Sequence, residues 1–158
     1  MNIKQLVLIV LLLALIVNPV YANDLQDGMM AYIRGDYTIA FNKLKPLSEK
    51  GNASAQFYLG NMYDFERGVP RNDKEAVKWF RLSADQGFSL GQYNLGVMYT
   101  NGQGVSVNYL LAYKWFNLSA ANGNENANFY RNKLEEVMSQ SQIKKAQEMA
   151  RNWKPETR

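Results

Sequence analysis

Neither cysteine nor histidine occurs in the chain. Without cysteine there is no disulfide framework, no thiol nucleophile, no zinc ribbon, no iron–sulfur cluster and no lipid-modified N-terminal cysteine. Without histidine the commonest general base and the commonest metal ligand are missing. An enzyme made from these residues would have to run on carboxylates, lysine, serine or tyrosine. Charge of one sign is scarce too: 18 Lys+Arg stand against 14 Asp+Glu in 158 residues. That balance is too mild to imply nucleic acid or a polybasic membrane patch. The length predicts one domain, able to bury ~65 to 70% of its unfolded surface without staples.

The first residues have the layout of a secretory leader. Lys4 and the free amine form a short positive region, and Leu6 to Val17 is an unbroken apolar run of twelve. Asn18, Pro19 and the triplet Val20-Tyr21-Ala22 follow, with small residues where a signal peptidase reads them. Cleavage is expected after Ala22. Twelve apolar residues span about 18 Å as a helix, short of a ~30 Å hydrocarbon core, so no stable membrane anchor is expected after cleavage.

Shifting the chain by 36 residues superposes residues 51–86 on 87–122 with sixteen identities, among them Gln56/Gln92, Gly60/Gly96, Gly68/Gly104, Asn72/Asn108, Trp79/Trp115, Phe80/Phe116 and Ser83/Ser119. Average composition would give about two. Each unit reads as two antiparallel helices. Helix A runs roughly from Asn52 to Asp64, with Ala55, Leu59, Gly60, Met62 and Tyr63 on one side at 100° per residue. Helix B runs roughly from Asp73 to Gln86, with Ala76, Trp79, Phe80, Ser83 and Ala84 forming a buried stripe. Gly68-Val69-Pro70 breaks the chain between them, and Asn72 with Glu75 predicts a capping box. Gly87 and Gly123 fit the left-handed residue that closes a helix. Gly60 and Gly96 are expected to face Ala76 and Ala112 and bring the two axes close. Trp79 and Trp115 are expected to fill the space between successive units rather than to stack a ligand.

The pattern Ala55-Gln56, Leu59-Gly60, Met62-Tyr63, Gly68-Val69-Pro70, Ala76, Lys78-Trp79-Phe80, Ser83-Ala84 and Gly87 resembles the Sel1-like repeat. The preceding segment, with Gly28, Gly35, Tyr37, Ala40, Leu44 and Leu47, looks like a shorter tetratricopeptide pair turning at Gly35-Asp36. The third unit departs from the pattern: Arg131, Asn132 and Glu135 replace Leu, Gly and Tyr, while Ala127, Tyr130, Leu134, Val137 and Met138 keep an apolar face. Ser139 and Gln142 predict a second capping box. Ile143, Ala146, Met149, Ala150 and Trp153 line a last helix whose other side is charged, as a terminal cap requires. The expected organisation is a leader over 1–22, a TPR-like pair over 23–50, Sel1-like repeats over 51–86 and 87–122, and a degenerate unit with a capping helix over 123–158.

The resemblance implies an all-α, right-handed α-solenoid that acts as an interaction scaffold, often in the bacterial envelope. Some secreted relatives pin each helix pair with a disulfide, which this chain cannot do. On the helical wheel Phe57, Asn61 and Asp64 fall opposite the core stripe, as do Tyr93, Val97 and Thr100, and Phe129, Lys133 and Glu136. The face that carries them lines the concave groove in this architecture. An aromatic residue recurs there at 57, 93 and 129, and the three are candidates for holding an extended peptide or a partner's helix. Padding between neighbouring helices is the competing account.

The carboxylate neighbours Asp64/Glu66 and Glu135/Glu136 do not converge, since adjacent helical residues point about 100° apart. Gly102-Gln103-Gly104 lacks the strand that a dinucleotide fingerprint needs. The basic residues near the end, Lys144, Lys145, Arg151, Lys154 and Arg158, read as a solvated cap. The expected function is therefore non-catalytic binding of a protein or peptide, in the periplasm or outside the cell, with no cofactor, no metal and no nucleic acid. A hydrolase or peptidoglycan-active protein, and a structural or chaperone-like subunit of an envelope machine, are the alternatives.

Overall fold

The computed structural model describes residues 19–156. The apolar run Leu6 to Val17 lies outside them, and the cleavage point after Ala22 falls in the first helix. The described residues form eight helices and no strand: α1 (Pro19–Arg34), α2 (Tyr37–Glu49), α3 (Ala53–Asp64), α4 (Asp73–Asp85), α5 (Ser89–Asn101), α6 (Tyr109–Ala121), α7 (Glu125–Glu135) and α8 (Gln140–Arg151). Among them no helix is long and apolar enough to cross a membrane.

Local chemistry sets the ends. The side chains of Asn52, Asn72, Asn108 and Asn124 each accept a hydrogen bond from the amide three residues on, at 2.9 to 3.2 Å. The expected box at Asn72 is half formed, because the Glu75 carboxylate turns outward to Lys78 at 3.3 Å instead of reaching back. At Ser139 and Gln142 both halves are present.

Helices pair as α1/α2, α3/α4 and α5/α6, and each pair stacks on the next through α2/α3 and α4/α5. What clamps a pair differs from the sequence expectation. Gly60 and Gly96 meet first the rings of Phe80 and Phe116, one turn on from the expected Ala76 and Ala112. A Cβ at Gly60 would stand 2.6 Å from the Phe80 ring, and one at Gly96 would stand 2.7 Å from that of Phe116. The glycine is thus a socket for a fully buried ring.

Helix α4 carries two faces into two cores. Trp79 joins Ala40, Leu44, Leu47, Leu59 and Met62 on the side of the first pair. Val77, Phe80 and Ala84 join Leu95, Met98, Phe116 and Ile143 on the other. Both Trp79 and Trp115 are buried, as expected of rings filling the space between units.

Several identities between the two repeats are hydrogen bonds between elements. Buried Gln56 donates to the Ser48 carbonyl at 3.0 Å and Gln92 to that of Ala84 at 3.3 Å, each satisfying an end of the preceding helix. Ser83 donates to the Ala53 carbonyl and Ser119 to that of Ser89, both at 2.7 Å. The long loops nest as well. Gly68 lies against Tyr37 at the start of α2, and Gly104 against Asp73 at the start of α4. Each Sel1-type loop thereby covers the first turn of the preceding B helix.

The last unit breaks this pattern. Helices α7 and α8 both pack chiefly on α6 rather than on each other. The socket explains why: Asn132 stands where Gly60 and Gly96 stand, and Gln147, eight residues after the N-cap Ser139, stands where Phe80 and Phe116 stand after Asn72 and Asn108. No ring and groove remain to lock the pair. The turn between the two helices is also short, Glu136 to Ser139. Ile143, Ala146 and Ala150 are buried by α8 instead. Tyr113 on α6 holds both helices, donating to Glu135 Oε1 at 2.7 Å and accepting from Gln147 Nε2 at 3.2 Å. Removing that hydroxyl in Tyr113→Phe is expected to cost about 1 kcal/mol in urea unfolding, since two hydrogen bonds are lost whose partners, exposed Glu135 and half-buried Gln147, can turn to water. An unchanged midpoint would show that the cap is held by apolar contact alone.

Candidate functional site

Successive A helices, α1 with α3 and α3 with α5, approach more closely than α2 with α4 or α4 with α6. The A side is therefore the inner side of the stack. Asn94 Nδ2 donates to Asn61 Oδ1 at 3.0 Å across it, joining α3 to α5. That bond buries Asn61, which the wheel had placed opposite the core stripe. The wheel treats a helix as having one apolar neighbour, whereas α3 packs against four, α1, α2, α4 and α5.

The recurring aromatic residues occupy unequal settings. Phe57 is half-buried, 5.6 Å from the Phe88 ring and 6.3 Å from that of Phe80. Tyr93 is half-buried between Phe116 at 5.9 Å and Tyr130 at 5.7 Å. Burial, with Tyr130 beside it, pushes the Tyr93 phenol up to about 12. Phe129 is 59% exposed and meets Tyr130 edge-on. Val97 packs against the core, and Thr100 donates back to the Gly96 carbonyl at 2.9 Å. Lys133 pairs with Glu136 at 2.9 Å on the surface. Burial raises the Asp64 carboxyl above the usual carboxylate range, opposed by Arg71.

A second row went unread in the sequence. Ile33, Phe65 and Val137 hold equivalent positions in three units, in the last turn of the A helix or just past its end, and are 66%, 58% and 67% exposed. Asn101 holds that position on α5. Val137 had been assigned to the buried face of the third unit. The helix α7 ends at Glu135, so Val137 falls in the turn toward α8 and stays open. The recurrence of an apolar residue at 33, 65 and 137 was the available signal.

At the first-unit end of this row, Arg67 stands over the rings of Tyr32 and Phe65, each at 5.1 Å, and of Tyr37 at 5.9 Å. It also bonds the Tyr32 hydroxyl. This cation tethers the first pair to the loop of the second.

Catalytic geometry is not assembled around the paired carboxylates. Glu135 is engaged by Tyr113 and Glu136 by Lys133, so the two point to different partners. No cluster of three or more acidic side chains that could hold a metal occurs among the described residues. An open cleft of about 530 Å³ is lined by Arg71, Asn72, Asp73, Lys74 and Gly104. It is the seam where one loop meets the next helix, and the Arg71–Asp73 pair at 2.8 Å neutralises much of its charge.

The model of the Sel1 repeat matches residues 53–88 and 89–124. The protein carries two Sel1 repeats. Their limits lie two residues beyond the 36-residue units read from the sequence, with unchanged period. A crystal structure of a protective antigen present in uropathogenic Escherichia coli strains, displaying an SLR fold, is similar at 27% identity and a TM-score of 0.80, over 84% of this chain and 29% of that one. A Sel1 repeat protein from Oxalobacter formigenes is similar at 33% identity and a TM-score of 0.65, over 68% of this chain and 44% of that one. The chain thus spans less than half the length of either. No protein of curated function matches. The Sel1-repeat chain is a right-handed α-solenoid, and repeats of this kind generally serve as protein-interaction scaffolds.

Proposed function

We propose that this Sel1-repeat protein is an exported, non-catalytic scaffold that holds an extended peptide or a partner's helix against the inner side of its A helices. The observation that carries the reading is the set of exposed apolar side chains on the A helices or just past their ends: Ile33, Phe65, Phe129 and Val137 are each more than half exposed. A folded chain of this size has ample core in which to hide them, so the recurrence of three of them at equivalent positions of successive units fits a surface that a partner covers. Aromatic anchors flanked by polar groups are what peptide grooves use.

Replacing Phe129 and Val137 together by Ser is expected to abolish capture of the partner at a photo-crosslinker placed at Phe65 in living cells, with the melting temperature shifted by less than ~2 °C. Loss of stability without loss of capture would instead make these side chains padding. Phe57 and Tyr93 contribute through the shape they give the groove, since neighbouring rings cover them.

Export to the periplasm, or beyond it, rests on Leu6 to Val17 and Val20-Tyr21-Ala22. The likeness to a protective antigen supports a place outside the cytoplasm. The mature chain is expected to begin at Asn23, just before Asp24, whose carboxylate pairs with Lys43. Sequencing the N-terminus of material from the periplasmic fraction tests this, and an uncut Met1 in the membrane fraction would make the apolar run an anchor.

A further inference from the structure

The last described residues lay a strap against the B helices. The Asn152 and Trp153 amides still bond to α8 carbonyls, and Lys154 to Glu156 then run to the C-terminus of α4, two units away in the stack. Three contacts seat the strap. The Trp153 ring meets Trp115 edge-on, centroids 6.1 Å apart. Trp153 and Pro155 rest over Gly87, where even a methyl group would touch them at 3.7 and 3.9 Å. The Glu156 amide donates to the Asp85 carbonyl at 2.7 Å, taking up one of the free carbonyls at the end of α4.

This is how a peptide docks rather than how a core packs. The strap's anchor Trp153 is only half-buried, and Lys154, Pro155 and Glu156 are exposed. The receiving surface is preformed by residues with other duties. Trp115 is a repeat residue held among Ala76, Phe80 and Tyr113, and Gly87 and Asp85 close α4. Lys114 lies over the Trp115 ring at 4.0 Å and frames one side.

We infer that the slot formed by Asp85, Gly87 and Trp115 is a second peptide-binding site, selective for an extended aromatic-x-proline segment, and that residues 153–156 fill it in cis as an exchangeable plug. The selectivity follows from the contacts. An indole or comparable ring is needed to meet Trp115, and proline keeps the backbone extended past Gly87 without requiring a donor of its own. The residue after proline supplies the one main-chain donor that Asp85 accepts. A partner segment with this chemistry competes against a tethered copy whose effective concentration is in the ~millimolar range, so occupancy by a partner reports either high local concentration or release of the plug. The site is on the opposite side from the A-helix groove and stands whether or not that groove binds anything.

The probe is a labelled synthetic peptide of residues 152–158, followed by fluorescence anisotropy. The full-length double variant Trp153→Ala/Pro155→Ala, in which the plug is weakened, is expected to bind it at least ~tenfold more tightly than the unaltered chain, where the cis copy competes. A peptide with alanine for its tryptophan should fail to bind the same variant. No binding to a variant that keeps its helical content and melting transition would overturn the inference. Hydrogen exchange on the unaltered chain decides independently of any variant. The Glu156 amide is expected to exchange through local opening, faster than the α6 amides by ~100-fold or more. Exchange of Glu156 only together with α6, at the rate of global unfolding, would make the strap a fixed part of the fold and end the proposal.

Discussion

Gly104→Ala is expected to destabilise the protein by about 3 kcal/mol, while Gly123→Ala costs about 1 kcal/mol, although both glycines share a left-handed backbone. The φ angles are 67° and 85°. Strain from a Cβ at positive φ is therefore common to the two, and it amounts to ~1 kcal/mol per residue. The difference lies in what the methyl group meets. At Gly123 nothing stands within 4 Å, whereas at Gly104 the Asp73 carbonyl carbon stands at 2.5 Å and the Lys74 nitrogen at 2.9 Å. These are backbone atoms in the first turn of α4, and they cannot turn aside as a side chain can. The nested loop must lift off, which uncovers the seam between two units. A thermal melt should show a drop near ~10 °C for Gly104→Ala and near ~3 °C for Gly123→Ala, on the scaling expected for a domain of this size. Equal drops would mean that the loop has freedom to shift and that the nesting contributes no register between units.

The second large effect is a coupling. Phe80→Ala removes a fully buried ring and is expected to cost 3–5 kcal/mol, as aromatic truncations in cores do. Gly60→Ala alone is expected to cost ~1 to 2 kcal/mol, because its methyl group would press into the Phe80 ring at 2.6 Å while recovering part of the ~1 kcal/mol by which alanine favours a helix. With the ring gone, the same methyl group fills part of the cavity. Gly60→Ala should then be neutral or stabilising, and the double-mutant cycle should close with a coupling near 2 kcal/mol. Denaturant melts of the four proteins measure it. Simple additivity would place the ring elsewhere than in the glycine socket. The same cycle at Gly96 and Phe116 should return a similar value, since the geometry repeats at 2.7 Å.

Much of the architecture was legible because its causes are local or periodic. Asparagine caps, the stops at Gly87 and Gly123, and the amphipathic stripe of α4 each depend on residues within a turn or two of one another. The 36-residue period added the long-range information that a single helix lacks, because a repeat can bury its faces only by stacking on its neighbours. Capping helix α8 was legible for the same reason: a helix with one apolar and one charged face ends such a stack.

The candidate site was legible only in part. Periodicity marked one side of the A helices as the candidate, but not which side chains on it stay open. Phe57 is covered by Phe88 and Tyr93 by Tyr130, residues that come from elsewhere on the stack. Asn61 is drawn inward by Asn94, a partner 33 positions away. Conversely, Val137 looked like core because the helical period was carried one turn too far. It is exposed because α7 ends at Glu135 and leaves it in the turn.

By itself, the sequence determined the helices, their ends, the period of the stack and the absence of thiol and imidazole chemistry. The tertiary structure alone decided that glycine sockets receive phenylalanine rings, that loops nest on the preceding unit, that the last pair splays and that the chain's end straps back to Asp85. The reason is one of range. Helix formation and repeat stacking are written in spacings of a few residues and in their repetition. Which side of a helix remains open depends on where non-repeating elements such as α7, α8 and the strap come to rest. That is settled by packing between residues whose separation in the chain follows no period.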